Sequence, residues 1–136
     1  MEQIKLLFDG GLVILIWMVQ LTIYPSFRYY SKDQLMQWHE IYTRRISLVV
    51  VPLMLGQLLF SILEVWFTRE LFSFFNLIAA LIVWVLTFWL FVPRHQKIAA
   101  GVSNVSLLKQ LENLNWWRTA LWSVIFIGNM LQNFSF

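Results

Sequence analysis

The sequence has no cysteine, two histidines, three prolines and five glycines in 136 residues, and only 12% of it is charged. Without cysteine there is no disulfide framework and no thiolate metal site. With two histidines a structural zinc site would have to lean on carboxylates, so neither a metal nor another cofactor is expected. The charge is about half that of an ordinary soluble domain. A soluble chain of this size has too little interior to hide what remains. Disorder is excluded as well, because 60% of the residues are hydrophobic and the mean hydropathy is +0.67. There is no glycine-rich phosphate loop and no nucleophile elbow, and Gly10-Gly11 reads only as a helix packing or start signal. No arginine recurs within an apolar run, so a voltage sensor is not indicated. No nucleic-acid partner is expected.

What is present is apolar and aromatic. Aromatics make up 18%, with eight tryptophans, which suits a chain that meets a membrane interface several times. About 20 mostly apolar residues cross a bilayer core as a helix. Four segments qualify, at about 6–24, 46–67, 71–92 and 116–131. Pro25 ends the first, Pro52 lies inside the second and Pro93 stops the third. Transmembrane strands would be about 10 residues long and alternating, which these are not. The first segment carries Asp9 and lacks a small-residue cleavage site, so it reads as retained rather than as a signal peptide. The expectation is an all-α, integral membrane four-helix bundle forming a single domain over residues 1–136.

Lysine and arginine counts set orientation. Arg28, Lys32, Arg44, Arg45, Arg94, Lys97, Lys109 and Arg118 fall on one side, against Lys5 and Arg69 on the other. This predicts a multi-pass protein of the cell membrane with both termini outside the cytoplasm. The same charge would also attract anionic lipid.

Polar residues within the runs follow the 100° step of a helix. Asp9, Gln20 and Tyr24 share a face with Val13, and Trp17 lies beside them. His39, Thr43, Gln57, Ser61 and Glu64 share another. Asn76, Ala80, Thr87, Phe91 and Arg94 form a third. Asn115, Arg118, Thr119, Trp122, Phe126, Asn129 and Asn133 form the fourth. Lipid cannot satisfy such groups, so the stripes should face one another. Ser, Thr, Asn and Gln often serve there only as interhelical glue. Asp9 and Glu64, near the outer ends, are expected to reach the interface or to pair with Lys5 or Arg69. The leucines at 107, 108, 111 and 114 should lie at the interface or extend the fourth run inward.

Chemistry gathers at the inner end. Both histidines lie there, with Tyr24, Thr43, Arg45, Arg94, Asn115, Trp116 and Arg118. The bland reading is an interface belt of Trp and Arg. Convergence of His39 and Arg118 on the inward stripes argues instead for a cationic, aromatic-walled mouth. Such a mouth would take an amphiphilic phenolic, quinone-like or anionic small molecule. Two histidines on one side could in principle ligate a haem, although two residues do not specify one.

Several short motifs carry a resemblance. They are Tyr24-Pro25, Trp38-His39 through Arg44-Arg45, Pro52-Leu53, Thr87 through Val92-Pro93-Arg94-His95, and Asn115-Trp116-Trp117-Arg118-Thr119. In this order they resemble the anthrone-oxygenase-like superfamily of small four-helix bacterial membrane proteins. That family commonly has Pro-x-Asn after the third span and His-x-x-Arg-Thr opening the fourth. Here Asn and His are exchanged, which predicts that positions 95 and 115 share one hydrogen-bonded site. The resemblance implies cofactor-free oxygenation of a phenolic tricyclic substrate. His39 or His95 would act as base, Arg118 and Arg45 would hold the enolate, and Asn115 and Tyr24 would donate hydrogen bonds. Thr43, Arg94 and Trp116 complete the expected ligand-binding set. Two other readings stand beside this one. The chain could be an accessory or scaffold subunit with a membrane protein partner, or a homo-oligomer. It could also be a transporter, marked by a continuous polar route from Asp9 and Glu64 to the inner cluster.

Overall fold

The computed structural model describes residues 1–134. Four long helical segments alternate in direction: α1 (Glu2–Tyr29), α2 (Lys32–Thr68), α3 (Leu71–Ala99) and α4 (Val105–Phe134). No strand occurs among the described residues. The chain is an all-α bundle. Segments α1, α2 and α3 are long and apolar enough to cross a membrane. Segment α4 has 30 residues, about 45 Å of rise. Its apolar character is diluted by Asn115, Arg118, Thr119 and Asn129, and all four are buried against the other helices.

Local chemistry explains the turns. Ser31 and Gln34 form a reciprocal capping box that starts α2. Arg69 closes α2 in the left-handed region at φ 54°, and the Thr68 and Ser73 hydroxyls, 2.8 Å apart, pin the hairpin to α3. Before α4, Gly101 takes φ +88° and the Asn104 side chain accepts from the Leu107 amide at 2.8 Å. The leucines at 107, 108 and 111 are buried in the first turns of α4.

The prolines behave differently from the sequence expectation. Pro25 and Pro93 do not end their helices. Each follows a wide π turn, Val19–Ile23 and Thr87–Phe91, after which an amide reaches the carbonyl five residues back. The wider turn accommodates the missing proline N–H and the ring. Helix therefore continues to Tyr29 and Ala99, and His95 sits on a helix rather than in a loop. Each π turn also shifts the helical phase, and Tyr24 and Phe91, at or next to its C-terminal end, are buried.

At Gly56 of α2 the Phe8 ring of α1 occupies the space a side chain would need. A Cβ there would lie 2.2 Å from the Phe8 ring, and Phe8 is itself stacked on Phe60 at 5.5 Å. Gly56→Ala is therefore expected to destabilise the bundle by about 1–3 kcal/mol. A titration of helicity with denaturing detergent measures this. Gly10→Ala, whose Cβ would meet only Phe126 at 3.4 Å, should shift the midpoint far less.

Candidate functional site at the histidine end of the bundle

At the end of the bundle opposite the α2–α3 hairpin, one hydrogen-bonded chain joins all four helices. On α4, Arg118 Nε and Nη2 donate to Asn115 Oδ1 at 3.0 and 2.7 Å. Arg118 Nη2 also donates to Tyr24 Oη of α1 at 3.0 Å. Tyr24 Oη lies 3.0 Å from His95 Nε2 of α3. His95 Nδ1 lies 2.7 Å from His39 Nε2 of α2. The two imidazoles are stacked, with ring centroids 5.0 Å apart.

The protons in this chain can be assigned from its fixed end. Arginine only donates. Tyr24 therefore accepts from Arg118 and can pass its own O–H to His95 Nε2. His95 then carries its proton on Nδ1 and donates to His39 Nε2. His39 is left with N–H at Nδ1, a buried atom with no partner. The opposite direction strands two groups, the Tyr24 hydroxyl proton and His39 Nδ1, so it is the poorer resting arrangement.

Arg118 is 7% exposed. Its guanidinium lies 3.5 Å over the Phe91 ring, a cation–π contact. Ion pairs among the described residues join Lys5 to Glu64 and Arg28 to Glu112, and none reaches Arg118. A buried cation here has neutral neighbours and no counter-ion.

Beside this chain lies a cavity of about 450 Å³. His39, His95, Tyr24 and Arg118 form its polar end, and residues such as Ile16, Val50, Met54 and Trp122 form its apolar body. It extends along α2 from His39 to Met54, about 22 Å of helical rise. The wall residues that are exposed, Ser47 and Val51 on α2 and Phe88, Val92, Gln96 and Ala99 on α3, place its opening between α2 and α3. Trp84 also lines the cavity, and its buried indole N–H has no partner.

The structure brings Tyr24, His39, Thr43, His95 and Arg118 to the cavity. The Thr43 hydroxyl is occupied by the carbonyls of His39 and Glu40. Asn115 does not line the cavity but holds the Arg118 guanidinium from behind, and it donates to Gln20 at 3.0 Å. Positions 95 and 115 thus share one network through Tyr24 and Arg118 rather than by direct contact. Arg45, Arg94 and Trp116 lie elsewhere. Arg45 is exposed. Arg94 donates to Leu90 O at 2.8 Å, within the stretch reorganised by the π turn. Trp116 packs edge-on to Trp17 on the outer surface. Trp84 was not singled out by the sequence, because one tryptophan in an apolar run has no polar neighbour to mark it.

No group of three or more His, Cys, Asp or Glu side chains could hold a metal ion among the described residues. The histidines bond to each other, not toward a common vacant point.

At the hairpin end a second polar network is buried. Asp9 does not reach the interface. It is 0% exposed, because Gln57 and Asn129 supply amide donors inside the bundle at 2.6 and 2.7 Å. Glu64 pairs with Lys5. Trp122 Nε1 donates to Gln57 at 3.0 Å, which carries this network up to the cavity wall. No hydrogen bond joins Trp122 to the Arg118 chain among the described residues.

No family model matches the chain, and no curated protein or solved structure matches it either.

Proposed function

We propose that this membrane protein takes an amphiphile from the bilayer into the cavity between α2 and α3 and holds its anionic, phenolic or quinone-like head on Arg118 and His39. Arg118 carries this reading. A buried charge without a partner costs several kcal/mol, and an arginine at membrane depth at least about 2.5 kcal/mol. A ligand oxygen bearing negative charge would offset that cost. His39 Nδ1 on α2 and Trp84 Nε1 on α3 add two stranded donors from residues lining the same cavity. Buried polar groups are otherwise paired, so two donors lacking acceptors and a cation lacking a counter-ion around one cavity favour a ligand rich in acceptor oxygens. The aromatic wall suits a planar ring, and the opening between two apolar helices suits entry from lipid.

The reaction class implied by the anthrone-oxygenase-like resemblance would use the same groups. An acidic C–H proton would pass to His39 Nδ1 in the opposite tautomer of the chain, with His39 donating to His95 and His95 to Tyr24 so that Nδ1 is bare, and it would stay there as an imidazolium until returned to the reduced oxygen. Arg118 would balance the enolate, and dioxygen would be the oxidant. The lysine and arginine bias supports a histidine end facing the cytoplasm of a cell membrane. The cavity favours a ligand-binding protein over an accessory subunit with a filled interior.

The test uses a 2-hydroxy-3-alkyl-1,4-naphthoquinone, an acidic quinone with an apolar tail. It should quench tryptophan fluorescence saturably in detergent. Val50→Trp, which fills the cavity from α2, is expected to weaken binding at least about tenfold. Unchanged affinity in that variant would sink the reading.

A further inference from the structure

Arg118 is held by a line of groups whose directions are fixed from both ends. A backbone carbonyl only accepts, and Gln20 Nε2 donates to the Glu112 carbonyl at 3.0 Å. That sets the Gln20 amide, so Oε1 is the atom that accepts from Asn115 Nδ2 at 3.0 Å. Asn115 is set in turn. Its Oδ1 faces the guanidinium, which donates to it from Nε and from Nη2. Gln20 and Asn115 are both buried, so water does not offer either a substitute partner.

The line ends on a neutral acceptor where a charged one would reach. Aspartate at position 115 would put a carboxylate against the guanidinium and form a buried ion pair. Its second oxygen would face Gln20 Oε1, acceptor against acceptor, because the Glu112 carbonyl holds Gln20 in that sense. The arrangement suits an amide and not a carboxylate. The other acceptor of Arg118, Tyr24 Oη, is a hydroxyl. The guanidinium therefore keeps its full charge.

Three of its five N–H groups are used in these bonds. The two on Nη1 meet no acceptor among the described residues, yet Nη1 is not sealed from open space. Arg118 lines the cavity, so these are the donors left for a ligand.

We infer that Asn115 is the specificity-determining residue of the cavity. By placing an amide where a carboxylate would neutralise Arg118, it selects a ligand whose head is a monoanion, an enolate, phenolate or carboxylate, over the same head in neutral form. This rests on the reading of the cavity as a ligand site and goes beyond it in fixing the ligand's charge and the residue that sets it.

Two ligands test this on the full chain in a neutral detergent. One is the 2-hydroxy-3-alkyl-1,4-naphthoquinone and the other its 2-methoxy ether, which has no acidic proton. The titratable groups around Arg118 are Tyr24 on α1, His39 and Tyr42 on α2 and His95 on α3. Their titration would move both ligands, and only the ligand's own ionisation moves one. As the hydroxyquinone ionises with rising pH, its affinity is expected to increase at least about tenfold, with the ether constant within about threefold. Above that ionisation, Asn115→Asp should cost the hydroxyquinone at least about tenfold and leave the ether within about threefold. A hydroxyquinone affinity that is flat or falls as it ionises would overturn the selection, whether or not the variant folds. So would an Asn115→Asp protein of unchanged helicity that keeps both affinities or loses both alike. Binding that Val50→Trp leaves untouched would instead remove the cavity reading beneath it.

Discussion

Arg118→Met should weaken binding of the hydroxynaphthoquinone by about 100-fold, near 2.8 kcal/mol at 1.4 kcal/mol per decade. Charged hydrogen bonds are worth about 1.5–3 kcal/mol, and the guanidinium lies in a site where water does not screen it. Arg118→Lys keeps the charge but loses the planar fork that holds Asn115 and Tyr24 at once. It should fall between the wild type and Arg118→Met. Arg45→Met and Arg94→Met are the controls. They lie at the same level of the sequence map but not on the cavity, and each should leave affinity within about twofold. Fluorescence titration measures all four. An affinity loss shared equally by the three positions would mean a diffuse surface charge effect instead of a site.

Lys5→Met should be the most destabilising single change at the hairpin end, by about 3–5 kcal/mol, because it leaves Glu64 buried without its partner. Denaturing-detergent titration would read it. The double variant Lys5→Met, Glu64→Leu should recover most of the loss, since replacing a buried pair by apolar residues is often near neutral. Lys5 also orients Asn129, so recovery should be incomplete. A single-variant loss below about 1 kcal/mol would place the pair in the class of exposed ion pairs.

Most of the inward faces were legible because polarity at helical spacing has one outlet in lipid. Asp9, Gln20, His39, Gln57, Ser61, Glu64, Asn115 and Arg118 stand on the predicted stripes, and all are buried. Residues at the inner level were harder to sort. Arg94 and Arg118 look alike in sequence. The π turn before Pro93 changes the local backbone bonding, and Arg94 is taken up by Leu90 O and Gln110. Arg118 sits on an uninterrupted helix and keeps its phase. Trp84 stands in an apolar run and Trp116 next to Asn115 and close to Arg118, yet packing puts the first on the cavity wall and the second on the outer surface.

The sequence by itself determined an all-α bundle with apolar helices of membrane length and a polar face on each. Composition and periodicity are properties of single segments, and each segment must solve its own solvation problem. Tertiary structure alone decided that Pro25 and Pro93 are passed over, that Asp9 is locked between two amides, and that Arg118 has no counter-ion beside a cavity. Those facts depend on which side chains meet across helices and in what rotation. A hydrogen-bond partner 48 or 94 residues away leaves no mark on local spacing.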